Sequence, residues 1–162
     1  MENYICINGK KTELTDEQLK QLGIEVPKKN PFDRAEFGKN YYFITSYGTV
    51  FQSHEFKDSD DRDKYYDTAN YCTDYHIMEQ RALHETLSRL LWRYSMTHKA
   101  ERKDNKVWHI RYSRNQQIFA PYWDYENSVY IGENAFDTEE IAQNAIDEII
   151  LPFMKAHPEF QW

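Results

Sequence analysis

The sequence predicts an α+β fold: an antiparallel sheet with helices packed on it, built from a degenerate strand–strand–helix repeat, with a small N-terminal hairpin–helix element. Two stretches rich in β-branched and aromatic residues, 41–52 and 107–120, each contain a turn signal and each precede a helical pattern. The junctions leading into those helices match, with Asn70-Tyr71-Cys72-Thr73-Asp74 against Asn134-Ala135-Phe136-Asp137-Thr138. Carried onward, that register pairs Ile77 with Ile141 and Met78 with Ala142. It then sets Leu83 against Asp147, where the repeat has worn away. A hairpin with one helix cannot bury its apolar face alone, so two such units are expected to share a core.

Residues 1–30 form the N-terminal element and its linker. Tyr4-Ile5-Cys6-Ile7 is a strand, Asn8-Gly9 a strong two-residue hairpin turn, and residues 11–14 the return strand. Thr15-Asp16-Glu17-Gln18 has the form of a capping box, and Leu19, Leu22 and the stop at Gly23 complete a short helix. Residues 27–31 read as linker, because Pro31 drives Asn30 toward extended geometry. The main domain, 31–162, divides into related halves at 31–105 and 106–162.

In the first half, residues 41–45 and 49–52 pair around Ser46-Tyr47-Gly48, and the polar stretch 54–67 is expected to be a mobile acidic loop. A long helix follows from about His76 to Lys99. Leu83, Leu87, Leu90, Leu91 and Tyr94 take its core face, leaving Arg81, Glu85, Arg89 and Arg93 on the wetter side. In the second half, 107–112 pairs with 117–120, and 128–131 forms a further strand that Gly132 breaks. Residues 137–140 cap a helix carrying Ile141, Ala142, Ala145, Ile146, Ile149 and Ile150, which Pro152 is expected to kink or end.

Composition narrows the function classes. Tyr, Phe and Trp number 13, 9 and 4, a heavy load that fits either a core and sheet face or a half-wet surface. Cys6 and Cys72 form no CxxC pair and suit free thiols in a reducing compartment. No hydrophobic run follows Met1 or approaches membrane-spanning length, so a cytosolic protein is expected. The net charge is −7, but the charges are segregated: residues 81–114 hold nine basic against three acidic groups, and 115–162 one against nine.

Catalytic and cofactor signals are poor. The six histidines make neither HExxH nor a Cys/His zinc pattern, and five glycines leave no phosphate cradle. Residues 58–63 resemble a calcium loop only superficially, because Arg62 takes a ligand position and Asp63 replaces the turn glycine. No cofactor, metal site or active site is therefore assigned, and the chain is expected not to be an enzyme. One constellation rises above background: Arg81, Arg89, Trp92 and Arg93 on the long helix, continued by Trp108, Arg111 and Tyr112 on the next strand. Arginines interleaved with aromatics suit phosphate, nucleotide or carboxylate recognition through bidentate pairing and stacking. An ordinary amphipathic helix with solvated charges gives the same pattern.

Several segments carry a family resemblance: Leu14-Thr15-Asp16-Glu17-Gln18-Leu19, Pro31-Phe32-Asp33-Arg34, Tyr41-Tyr42-Phe43-Ile44, Leu90-Leu91-Trp92-Arg93-Tyr94 and the ending 152–162. Together they resemble small proteins encoded by phages and prophages of Gram-positive bacteria, over nearly the whole chain, with 54–67 the least typical part. The resemblance brings no active site. It implies a viral accessory protein in the bacterial cytoplasm, of the kind that blocks host factors such as CRISPR effectors and other defence components. Two alternatives stand beside that expectation. One is a sponge for a nucleotide immune signal, held by Arg89, Arg93 and Trp92; the other is a nucleic-acid-binding module on 81–114, which the net charge of −7 opposes.

Overall fold

The structure, a computed structural model, describes residues 4–7, 10–23, 29–56, 60–102, 104–125 and 134–161. The Asn8-Gly9 turn and the strand expected at 128–131 lie outside the described residues. The chain divides into two compact units, 1–33 and 34–162, with the boundary just beyond the linker read from the sequence.

In the first unit, β1 (Tyr4–Ile7) and β2 (Lys10–Glu13) pair antiparallel, and α1 (Asp16–Gln21) follows. The capping box forms as expected. Gln18 N donates to Thr15 Oγ1 at 3.3 Å, and Thr15 N donates to Gln18 Oε1 at 2.9 Å, satisfying two otherwise orphaned donors.

The second unit repeats one plan. β3 (Asn40–Ile44) pairs antiparallel with β4 (Val50–His54), and β5 (Lys106–Ser113) with β6 (Ile118–Tyr125). The fold is α+β, its described strands lying in three separate two-stranded sheets. Each second-unit hairpin accepts one more rung from the residue two before a helix cap: Tyr42 bridges Cys72, and Trp108 bridges Phe136. Asp74 then caps α3 (Tyr75–Thr97), donated to by His76 N and Ile77 N, and Thr138 caps α4 (Glu139–Ala145), donated to by Ile141 N. Met78 and Ala142, four residues beyond their caps, are both buried. The two halves therefore share strand, bridge, cap and first buried helical turn.

One core cluster joins Ile44, Cys72, Met78 and Ala82 beneath the β3–β4 hairpin. A larger one joins Leu87, Leu91 and Tyr94 of α3 to Phe136, Ile146 and Ile150. The long helix thus serves the first hairpin with its N-terminal half and the second half of the repeat with its C-terminal half. Gln80 fastens the chain end to it, donating to Glu159 O and accepting from Gln161 N, each at 2.8 Å.

One expectation needs correction, and a second, that Pro152 kinks or ends the last helix, is narrowed. The stretch 54–67 is not simply a loop, because Asp60–Asp67 forms α2. Its Tyr65 stacks on Phe43 with ring centroids 4.1 Å apart, and Arg34 binds Asp63 at 2.7 Å while lying over the Tyr66 ring. Those partners come from the hairpin and from the chain before it, so local polarity could not reveal them. Pro152 does not end the last helix. A π-helical segment, Ile146–Ile150, carries α4 into α5 (Leu151–Ala156), with Pro152 in the first turn of α5. A widened turn ahead of the proline removes the need for its missing N–H and makes room for its ring.

Gly48, at φ +84°, turns the β3–β4 hairpin, and a Cβ built there would lie 2.7 Å from Arg89 Nη2. Gly48→Ala is expected to cost about 1–2 kcal/mol from the left-handed backbone, measured by urea unfolding. The arginine tip can swing aside, so the Gly48→Ala, Arg89→Ala pair should recover only a small part.

Candidate functional site

The structure distributes the sequence-selected residues over several places. Strand parity separates Trp108 and Tyr112 from Arg111. Trp108 packs against the large core cluster, Tyr112 lies beside Phe119 at 4.8 Å, and Arg111 sits on the other face, 5.8 Å over the Tyr122 ring. Arg81 is held by Glu85, Nε to Oε1 at 2.8 Å, and also donates to Ala69 O. Arg89 reaches Thr86 Oγ1 and the Gly48 turn.

Much of the basic run proves to be internally committed. Arg102 Nε donates to Asp137 Oδ1 at 2.8 Å, Lys99 lies 3.8 Å from the same carboxylate, and Lys106 pairs with Asp104 at 3.2 Å. The two contacts to Asp137 tie the connection between α3 and β5 to the start of α4. Burial alone would raise the Asp137 carboxyl, but the Arg102 hydrogen bond, Ala100 N–H and the two cations outweigh it and hold the group below its ordinary value. A lowered folded value stabilises fully above the ordinary carboxylate range and loses that effect as pH falls through the folded value. Asp137→Asn is expected to cost about 1.5–3 kcal/mol at pH 7, since the lost bonds are charge-assisted. Comparing urea midpoints at pH 7 and pH 3 should show a smaller penalty at the lower pH.

Among the described residues an exposed stripe of α3 stays uncommitted. Arg89, Trp92, Arg93 and Met96 fall at i, i+3, i+4 and i+7 and so share a face. Trp92 is 60% exposed and Met96 53%. Neither Arg89 nor Arg93 has a carboxylate partner among the described residues, in a chain with 27 acidic against 20 basic groups. A second feature is concave. A cleft of about 630 Å³ opens where Phe43, Ile44, Thr45 and Ser46 of the β3–β4 hairpin meet Tyr65, Thr68 and Asn70 around α2 and Arg81 and Glu85 of α3. Sequence reasoning selected Arg81 there, with Glu85 four residues on, but missed the others, which come together only through tertiary folding.

Among the described residues no cluster of His, Cys, Asp and Glu is arranged to hold a metal ion, and no helix is long and apolar enough to cross a membrane. Comparison with family models, curated proteins and solved structures finds no match to the chain.

Proposed function

We propose that the chain is a non-enzymatic phage or prophage accessory protein that binds and blocks a host protein, a defence component, in the bacterial cytoplasm. The observation that carries this reading is the Arg89–Trp92–Arg93–Met96 stripe. An exposed Trp and Met grouped with two guanidinium groups that have no carboxylate partner among the described residues has the make-up of an interface anchor, since Trp and Arg dominate binding hot spots. The spacing is that of helices that bind through one face. The complementary surface is apolar at its centre and acidic at its rim.

Nucleic-acid binding is less well supported, because Lys99, Arg102 and Lys106 are engaged with Asp137 and Asp104, which interrupts the cationic track. The test is co-purification of the tagged chain from a Gram-positive host lysate beside its Trp92→Ala variant, followed by reconstitution with the captured protein. The expected result is a host protein retained by the parent, lost by the variant, and inhibited when the purified parent is added. A captured protein whose activity the parent leaves untouched would overturn the reading.

A further inference from the structure

We propose that the cleft between the β3–β4 hairpin, α2 and α3 is a binding site for a guanine base, presented by a free nucleoside or nucleotide. This goes beyond the protein-binding reading and uses different residues, since neither Trp92 nor Arg93 lines the cleft. Its volume of about 630 Å³ is that of a small-molecule site. Phe43 and Tyr65, stacked at 4.1 Å and 19°, supply aromatic surface for a planar ring.

The walls are fixed from behind. Asn70 clamps the end of β3, accepting from Ile44 N and donating to Ile44 O, both at 2.8 Å. Next to it, Ala69 holds φ at +54°, a left-handed conformation uncommon for a residue with a Cβ, and its carbonyl accepts from Arg81 Nη1. This is the C-terminal cap of α2, closed by Ala69 N donating to Tyr66 O at 3.0 Å and Asn70 N donating to Tyr65 O at 2.8 Å.

The Arg81–Glu85 pair selects the ligand. Arg81 uses Nε on Glu85 and one Nη1 hydrogen on Ala69 O, which orients the guanidinium and leaves N–H groups to donate. Glu85 uses Oε1 on Arg81 and keeps Oε2 as an acceptor. The pair carries no net charge, so a bare phosphate gains little from it. Guanine presents two adjacent acceptors, O6 and N7, which an arginine reads in a bidentate pair. It also presents N1–H and the N2 amino group, two donors that Oε2 and the second lone pair of Oε1 can accept together. Adenine and cytosine each offer one amino group and no such double match.

The test is calorimetric titration of the purified full chain with guanosine, GMP, AMP, CMP and inorganic phosphate. Guanosine and GMP are expected to bind alike, AMP and CMP about tenfold or more weakly, as expected for loss of one bidentate contact, and phosphate not at all. Glu85→Gln should erase the preference for guanine while its thermal melt stays close to the parent's. Arg81→Lys should weaken GMP about tenfold, and Trp92→Ala should leave it unchanged. The proposal is overturned by absence of GMP binding at millimolar concentration, by equal affinity for all three nucleotides, or by GMP binding without guanosine binding. Failure of both Arg81→Lys and Glu85→Gln to alter GMP binding would also overturn it. The last two outcomes would place the determinant on the phosphate or elsewhere on the surface, and none of the four bears on the α3 stripe.

Discussion

Phe136→Ala is expected to destabilise the protein by about 3–5 kcal/mol, the range for deleting a buried aromatic ring. Phe136 is 1% exposed and stands in the larger core cluster with Leu87, Leu91, Ile146 and Ile150. Its main chain forms the rung to Trp108, with Trp108 N donating to Phe136 O at 3.0 Å and Phe136 N donating to Trp108 O at 2.8 Å. The ring therefore fills the space between the β5–β6 hairpin and the helices just where the chain enters α4. Its counterpart Cys72 makes the same rung with Tyr42 but carries one small side chain, so Cys72→Ala should cost only about 1 kcal/mol. Domain stability is about 5–15 kcal/mol in total, so the phenylalanine variant should lose a large part of it and melt about 10 °C or more lower. Urea unfolding of both variants measures the contrast. Equal costs would mean that the two halves of the repeat are packed alike, against the different ring volumes at the matched positions.

That pair of residues also marks how far the sequence could be read. The matched junctions aligned Cys72 with Phe136, and both proved to be bridging residues, because a buried entry into a helix leaves a compact local pattern. The stripe through Leu87, Leu91 and Tyr94 was legible for the same reason, since helical periodicity is a local signal. Helix α2 was not legible. It is short and polar, and its order depends on Phe43 and Arg34, residues distant in sequence. Trp108, Arg111 and Tyr112 looked like one continuation of the basic helix, yet alternation along a strand sends Arg111 to the face opposite the other two. The cleft was invisible because its lining comes from three separated stretches, and the commitment of Arg102 to Asp137 needed the folded chain to bring them together.

Trp92→Ala is expected to raise the dissociation constant for the host protein proposed as partner about 30-fold or more, the 2 kcal/mol that defines an interface hot spot. The argument rests on what the stripe does not do for the fold. Trp92 is 60% exposed, so its removal should change stability by about 1 kcal/mol or less. Arg89 and Arg93 stand four apart with no carboxylate partner among the described residues, and like charges at that spacing mildly oppose the helix. Arg89→Ala with Arg93→Ala should therefore leave the melt within about 0.5 kcal/mol of the parent's. Other exposed aromatics, such as Tyr47 at the hairpin turn, lack this grouping of ring, thioether and paired arginines. The guanidinium groups act at longer range than the indole, so the double variant should lose mainly association rate and the salt dependence of binding, whereas Trp92→Ala should mainly speed dissociation. Surface-plasmon measurements at low and high ionic strength separate the two effects. A double variant that folds, associates as fast as the parent and responds to salt in the same way would show that this face is ordinary solvated helix, and would move the search for the binding surface to α2 and the acidic residues around it.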